Sequence, residues 1–243
     1  MFSHQEVRPG IWVGFTGTET GNLAFHVGDD GGAVARRRAA LNAALSEAVG
    51  TDVALAYMNQ VHGNAVAILS AGAAAGKPAP TADAMVTWGT AGAGVAVMVA
   101  DCVPVVLVGE TLDGGVLLAV AHAGRPGVER DVIGAVVSAM RAAGADAIEA
   151  WLGPSICGYC YEVPDQMRQS VAVKEPESFA TTSWGTPSLD LPAAVLAQLR
   201  SNHVTAHPSG ECTLENHAFH SHRRAIRDGS AEGRFIGFAV SAR

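Results

Sequence analysis

Residues 103–121 read VPVVLVGETLDGGVLLAVA, two apolar runs on either side of a glycine-containing stretch. Apolar runs of this length around a turn predict two antiparallel strands joined as a β-hairpin. If the hairpin pairs symmetrically, Val108 faces Val116, and Cys102 just before it faces His122 just after it. The Cβ atoms of directly opposed residues lie about 5 Å apart. The two side chains could therefore share one metal ion.

A third candidate ligand is His62, within the segment Asn59-Gln60-Val61-His62-Gly63 between two short apolar runs. Thiolate sulfur and imidazole nitrogen are ligands that zinc prefers, and three protein ligands with an open fourth position are typical of catalytic zinc. The residues thus predict a metal site formed by His62, Cys102 and His122. Ordinary alternatives exist, because a buried cysteine is usually a small hydrophobe and Pro104 favours a bulge or a sheet edge near Cys102.

The chain resembles the YfiH-like family, whose members are known as purine nucleoside phosphorylases and as multicopper polyphenol oxidases or laccases. The resemblance rests on an ordered series of short segments along nearly the whole chain. They are Gly28-Asp29, Gln60-Val61-His62-Gly63, Asp83-Ala84, Ala100-Asp101-Cys102-Val103-Pro104, His122-Ala123-Gly124, Leu152-Gly153-Pro154, Cys160-Tyr161-Glu162-Val163, Cys212-Thr213, Ser221-His222-Arg223-Arg224 and Gly233-Arg234. The metal-binding His, Cys and His of the family fall on His62, Cys102 and His122.

The resemblance implies a zinc-dependent enzyme that cleaves adenosine, inosine or methylthioadenosine with phosphate, giving the base and ribose 1-phosphate. It also implies the YfiH-like fold, which CNF-type toxin deamidases share. The three metal ligands are then also the candidate catalytic residues. The candidate substrate or phosphate contacts are Arg38, Gln60, Asp101 and Arg223, since the guanidinium fork suits phosphate. In an ideal strand Asp101 faces away from Cys102, so we expect it to orient a ligand or a turn.

The chain departs from the family pattern in two segments. Where the usual motif reads His-Ala-Gly-Trp-Arg-Gly, this chain has His122-Ala123-Gly124-Arg125-Pro126-Gly127. The late Ser-Tyr-Arg-Arg motif is replaced by Ser221-His222-Arg223-Arg224. The roles of the family Trp, Arg and Tyr at these positions therefore do not carry over.

Four alternative functions remain open at this stage. A bound metal could activate water for adenosine deamination, or Cys102 activated by His122 could act as the nucleophile of an amidase for a cell-wall precursor. Copper also suits the site, which leaves a copper-dependent phenol oxidase. However, the nine histidines include one His-x-His pair, His220-Ser221-His222, too few for a coupled multicopper centre. A non-enzymatic module is disfavoured because an open ligand set stabilises a fold poorly.

Length and periodicity indicate the fold class. The 243 residues are 49% hydrophobic, enough for one sizeable core, and motifs from end to end predict a single domain over residues 1–243. The pattern predicts strands over residues 11–15, 53–58, 65–69, 147–152 and 234–240, and helices over residues 33–49, 128–142, 162–171 and 191–199. This order predicts an α/β (α+β) fold with mixed sheets covered by helices.

Charge and hydropathy limit the partners. A net charge of −7 disfavours sequence-independent nucleic-acid binding. Residues 1–6 lack the basic start and apolar run of a secretory signal, and the apolar stretch 95–108 is too short to cross a bilayer. We expect a cytoplasmic protein with small-molecule substrates, no nucleic-acid partner and no membrane span. The sequence leaves the oligomeric state open and is compatible with a monomer.

The four cysteines are predicted to be reduced thiols, because no export signal precedes them. Cys157 and Cys160 form a Cys-x-x-Cys pair, which could be redox-active or half of a zinc site. Since the sequence has no second such pair, two ordinary thiols are the favoured interpretation. The Gly/Ala-rich segment 71–80 is predicted to be a surface loop and not a P-loop, since Pro78 replaces the required Ser or Thr.

Overall fold

The computed structural model describes residues 2–70 and 78–243, so most of the predicted loop 71–80 lies outside the described residues. The strands are β1 (Phe2–Arg8), β2 (Ile11–Thr16), β3 (Ala54–Ala56), β4 (Val66–Ile68), β5 (Ala84–Trp88), β6 (Ala93–Val99), β7 (Val103–Thr111), β8 (Val116–Ala123), β9 (Ala145–Leu152), β10 (Phe179–Thr181), β11 (Pro187–Leu189), β12 (Thr205–Pro208) and β13 (Phe235–Ser241). The α-helices are α1 (Gly31–Val49), α2 (Arg125–Glu129), α3 (Val132–Ala142), α4 (Asp165–Lys174), α5 (Leu191–Ser201) and α6 (His222–Asp228).

Two mixed sheets form the centre of the molecule. One has the order β1-β2-β13-β6-β3 and the other the order β12-β9-β7-β8-β5-β4, while β10 and β11 form a separate small pair. Buried side chains such as Val97, Val106 and Phe235 fill the space between the two sheets. Helix α1 packs on the outer face of the first sheet through Leu41 and Leu45. Helices α3 and α5 cover the outer face of the second sheet.

This layered arrangement confirms the predicted α+β fold with mixed sheets covered by helices. Strands β6, β7 and β8 are buried almost throughout, which explains why their sequences are continuous apolar runs. Alternate residues of β8 face different cores, with Val120 between the sheets and Ala121 under the helices. None of the helices in the described residues is long and apolar enough to cross a membrane.

Most predicted elements occur within a few residues of their predicted bounds, but two helices differ. The helix predicted over residues 128–142 is two helices, because Asp131 adopts a left-handed conformation (φ 55°) and caps α3 by accepting from Gly134 N. The helix predicted from residue 162 begins at Asp165 instead. The reason is Pro164, which disfavours helical geometry at the residue before it.

The predicted hairpin exists, but its predicted register is wrong by two residues. Val108 pairs with Leu118 rather than Val116, and His122 pairs with Pro104 rather than Cys102. Strand β7 extends to Thr111, into the predicted turn, and the turn closes between residues 111 and 116 with Gly114 at φ +83°. Because a two-residue shift leaves every side chain on its original face, Cys102 and His122 still lie on the same side of the sheet.

Pro104 lies in the central strand β7, and the pairing of β7 with β8 has no bulge. This differs from the sequence analysis, in which Pro104 favours a bulge or a sheet edge near Cys102. The His122 N–H is directed away from β7, to the Asp83 carbonyl at 2.7 Å. Pro104 and His122 therefore form a non-hydrogen-bonded pair, which requires no N–H from the proline. On its other side the Pro104 carbonyl accepts from Gly153 N, and the ladder to β9 begins only at Val105.

Candidate metal centre

Three segments that are distant in sequence bring His62, Cys102 and His122 together. Their donor atoms all lie within 4.8 Å of one another, and Cys102 Sγ is 3.9 Å from His62 Nε2. The two imidazole rings meet edge to face with their centroids 4.6 Å apart. His62 lies in the turn between β3 and β4 in a left-handed conformation (φ 58°), Cys102 directly precedes β7, and His122 lies in β8.

Asp83, directly before β5, connects two of these candidate ligands. Its carboxylate accepts a hydrogen bond from His122 Nδ1 at 2.9 Å and from the backbone N–H groups of Val61, His62 and Gly63. The side chain is fully buried. Since Nδ1 of His122 is occupied, Nε2 is the nitrogen left for a metal, and the same carboxylate fixes the turn that carries His62.

The electrostatics of the site favour charged ligands. Burial by itself would raise the pKa of Cys102, but His122 and His62 next to it lower this pKa to about 6. Burial would likewise lower the pKa of His122, but the Cys102 thiolate and Asp83 raise it to about 9. A metal-free site therefore holds a thiolate–imidazolium pair near neutral pH.

The backbone at Gly124 lies so close to His62 and Cys102 that a side chain at this position would overlap them. A Cβ atom on Gly124 would lie 2.7 Å from His62 Cδ2 and 3.0 Å from Cys102 Sγ. One thiolate and two imidazoles, one of them oriented by a carboxylate, form a donor set that suits zinc or copper. The residues present thus fit a metal ion with three protein ligands.

A cavity of about 460 Å³ opens at this centre. Besides His62 and Cys102, its walls include Asp101, Tyr161 and Arg223. Both departures from the family pattern also lie on these walls, as Arg125-Pro126 and as His222. Arg125 forms an ion pair with Glu129 on its own helix, and His222 Nδ1 lies 3.0 Å from Glu232 Oε2.

Asp101 and Arg223 are brought to the cavity together. Asp101 is in a left-handed conformation (φ 80°), and its carboxylate accepts from Thr213 Oγ1 at 2.6 Å and from the Arg223 backbone N–H at 2.7 Å. Asp101 therefore positions the start of α6. The guanidinium of Arg223 donates to the Glu162 carbonyl at 3.0 Å and lies 5.4 Å from the ring of Tyr161. Within residues 2–70 and 78–243 it pairs with no carboxylate.

Arg38 and Gln60 do not line this cavity. The side-chain amide of Gln60 forms two hydrogen bonds with the backbone of Met98. It donates to the Met98 carbonyl at 2.7 Å and accepts from the Met98 N–H at 2.9 Å. Arg38 donates to the Leu23 carbonyl and stacks over Tyr57 at 3.6 Å. Contacts within the protein therefore account for the positions of both side chains, without a contact to substrate.

Sequence reasoning missed Asp83 as part of the site, although the segment Asp83-Ala84 stood among the matching motifs. The signal available in the sequence was an acidic residue directly before an apolar strand. Its contact with His122 depends on the pairing of β5 with β8, in which Ala84 lies opposite Ala121.

Comparison with known proteins agrees with this architecture. Residues 13–242 match the model of the multi-copper polyphenol oxidoreductase laccase family. The chain belongs to this family. It is 41% identical to a purine nucleoside phosphorylase of Streptomyces coelicolor, over 96% of this chain and 98% of that protein. The predicted family resemblance is confirmed.

Solved structures share the fold. A Neisseria meningitidis protein of family DUF152 superposes with a TM-score of 0.80 at 29% identity, covering 100% of this chain and 99% of that one. The Bacillus licheniformis protein YfiH gives a TM-score of 0.78 at 24% identity, covering 95% and 92% of the two chains, and shows the fold alone.

Proposed function

We propose that this protein is a zinc-dependent purine nucleoside phosphorylase acting on adenosine, inosine or methylthioadenosine. The observation that carries the proposal is that two members of the candidate metal-binding trio, His62 and Cys102, line one cavity together with Arg223, whose guanidinium pairs with no carboxylate among the described residues. Its volume falls within the range of small-molecule sites. The similarity to relatives named purine nucleoside phosphorylases supports the choice of substrate.

In the proposed reaction a phosphate oxygen bonds to C1′ of the ribose while the bond from C1′ to the purine nitrogen breaks. The electron pair of that bond leaves with the purine, which takes up a proton. Arg223 would hold the phosphate through its fork of N–H donors and restrict its approach to C1′. A zinc ion held by His62, Cys102 and His122 would supply positive charge and Lewis acidity at the site.

The experiment that tests this proposal combines metal analysis with product identification. Purified protein incubated with adenosine and phosphate is expected to yield adenine and ribose 1-phosphate, and chelation is expected to abolish the reaction. Cys102→Ser is expected to lose both the zinc of this site and activity, because a hydroxyl is a poor zinc ligand compared with a thiolate. Adenine formation at an unchanged rate in chelated protein or in Cys102→Ser would contradict the proposal.

Adenosine deamination is a second reaction proposed for the same site. Water would replace the amino group of the purine, and ammonia would leave. Incubation of adenosine without phosphate separates the two reactions, because deamination gives inosine and ammonia while phosphorolysis stops. Absence of inosine at high enzyme concentration would rule out this second activity.

A Cys–His hydrolase is the alternative that one specific observation favours. Cys102, His122 and Asp83 form a chain of nucleophile, base and orienting carboxylate, and the pKa of Cys102 is lowered to about 6. A metal ion bound to Cys102 would suppress the nucleophilicity of that thiolate. If chelated protein hydrolyses an amide substrate and alkylation of Cys102 stops it, the hydrolase proposal replaces the phosphorylase proposal.

A further inference from the structure

We propose that the chain has a second, structural zinc site formed by Cys157, Cys160, Cys212 and Glu215. The three sulfur atoms and a carboxylate oxygen of Glu215 lie within 4.8 Å of one another. Sulfur atoms around tetrahedral zinc are about 3.8 Å apart at the usual Zn–S distance, so small side-chain adjustments suffice. This site is separate from the His62 centre and does not depend on the proposed enzymatic function.

Two tight turns present these ligands. In the first, the Cys157 carbonyl accepts from the N–H groups of Cys160 and Tyr161, both at 3.0 Å. In the second, the Cys212 carbonyl accepts from Asn216 N at 2.9 Å. Each turn thus supplies two ligands at a spacing of three residues, Cys-x-x-Cys from one and Cys-x-x-Glu from the other. Ligand pairs on short turns are a recurrent arrangement in structural zinc sites.

The second turn is held in place by contacts other than the four ligands. A parallel bridge joins Ser155 to Cys212, with Thr213 N donating to the Ser155 carbonyl at 3.0 Å. The buried guanidinium of Arg224 donates to the carbonyls of Thr213 and Leu214. The ligands are therefore brought together before any ion binds, which lowers the entropic cost of metal binding.

Ordinary thiols or a redox pair explain this cluster less well. All four cysteines are free, and each of them lies in one of two metal-capable groups of the described residues. A redox-active Cys-x-x-Cys pair needs only its own two thiols. Here a third thiol, Cys212, and the Glu215 carboxylate also lie within 4.8 Å of the pair. Three converging thiols and one carboxylate instead complete the four ligands of a closed zinc site.

The location of the site indicates its role. The first turn continues into Tyr161, and the second leads to α6 and Arg223, both of which line the cavity. A zinc ion here would join the two segments that form this wall. We therefore infer that it stabilises the wall rather than taking part in chemistry.

The test is zinc stoichiometry in protein purified under reducing conditions and measured by inductively coupled plasma mass spectrometry. Wild-type protein is expected to hold about two zinc ions per chain and Cys102→Ser about one. The double variant Cys157→Ser/Cys160→Ser is the reciprocal control and is expected to keep only the ion of the His62 centre. Glu215→Gln is expected to lower the affinity of the second site about tenfold or more.

A measurement on Cys102→Ser alone keeps the proposal falsifiable if the double variant does not fold. Cobalt added to metal-free Cys102→Ser protein is expected to bind with strong thiolate-to-cobalt charge-transfer absorption, because only the second site then offers cysteine ligands. Absence of that absorption, no zinc in Cys102→Ser, or a disulfide between any two of the three cysteines in protein never exposed to oxidant would overturn the proposal.

Discussion

The Asp83 carboxylate joins His122 to the turn that carries His62, since one oxygen accepts from both His122 Nδ1 and the His62 backbone N–H at 2.9 Å. We predict that Asp83→Asn lowers zinc affinity at this centre about 10- to 100-fold, as loss of outer hydrogen-bond partners typically does. Competition with a fluorescent chelator measures the affinity. Asp146→Asn, at an exposed position of β9, is the matched control and should leave the affinity unchanged.

The same substitution should also destabilise the protein. The new amide presents N–H groups to donors that previously faced a carboxylate, and a buried donor without a partner costs about 1–3 kcal/mol. Thermal unfolding of metal-free Asp83→Asn compared with metal-free wild type measures this cost. Equal stability and equal zinc affinity in the variant would show that Asp83 does not organise the site.

A substitution at Gly124 can test how closely the backbone packs against His62 and Cys102. We predict that Gly124→Ala abolishes metal binding at the His62 centre, because the added methyl group would overlap His62 and Cys102. The backbone at Gly124 (φ −77°, ψ 165°) is allowed for alanine, so any effect is steric. Gly31→Ala is the control, since its Cβ would have no neighbour closer than 4.0 Å. Unchanged metal content in Gly124→Ala would contradict the geometry of the site.

The pairing of Cys102 with His122 predicts an unusual pH dependence in metal-free protein. Because the pKa of Cys102 falls from 9.0 to about 6, its alkylation by iodoacetamide should rise through about pH 6 rather than pH 9. His122→Ala should move this midpoint upward, since the largest favourable neighbour is lost. Peptide mass spectrometry at Cys102 separates it from the other three cysteines. A midpoint near 9 in wild-type protein would rule out the thiolate–imidazolium pair.

The two pKa shifts also limit the pH range in which the pair stabilises the fold. The lowered pKa of Cys102 gives stability that is fully present above pH 9 and is lost as the pH falls through about 6. The raised pKa of His122 gives stability that is fully present below pH 6.5 and is lost as the pH rises through about 9. Because each shift is caused largely by the charge on the other group, the two act together only where both groups are charged, between about pH 6 and pH 9. The melting temperature of metal-free wild type should therefore exceed that of metal-free Cys102→Ser most clearly in this pH range.

Arg223 is the residue through which the proposed phosphate site can be tested. We predict that Arg223→Ala raises the KM for phosphate about 10- to 100-fold, the loss expected for a charge-assisted hydrogen-bond pair. Arg227→Ala on the same helix is the control, because Arg227 is exposed and pairs with Asp228. Initial rates at varied phosphate and saturating adenosine give the values. Equal effects of the two variants would exclude a specific phosphate contact by Arg223.

Residue type and hairpin pattern were enough to predict that His62, Cys102 and His122 lie close together, although the register between Cys102 and His122 was two residues off. The predicted proximity survives because a shift of two preserves faces, whereas a shift of one would have put Cys102 and His122 on opposite faces. Gln60 shows the limit of motif matching. Its position fits the family motif, but only the fold shows that both polar groups of its side-chain amide form hydrogen bonds with the Met98 backbone.

The Cys157–Cys160 pair was predicted to be two ordinary thiols because the sequence offers no second Cys-x-x-Cys. The structure places Cys212 and Glu215 beside it through the bridge between Ser155 and Cys212. Such a contact between segments more than 50 residues apart depends on the whole topology of the second sheet. No local pattern could have predicted it.

The last prediction is that this protein does not reduce oxygen to water as a multicopper oxidase, although it belongs to a family described by that activity. Such chemistry needs several coupled copper ions held largely by His-x-His pairs, and the nine histidines include one such pair. In that pair His222 begins α6 and pairs with Glu232. Neither His220 nor His222 belongs to a metal-capable group among the described residues.

Copper can still enter the His62 centre, because it binds nitrogen and sulfur ligands more tightly than zinc does. A single copper ion transfers one electron at a time, so copper-loaded protein should show no four-electron reduction of oxygen with a phenol substrate. Oxygen uptake and peroxide assays on copper-loaded wild type measure this, with Cys102→Ser as the control that lacks a complete centre. Detection of several magnetically coupled copper ions per chain, together with water as the product, would show that the chain holds a cluster that its described residues do not provide.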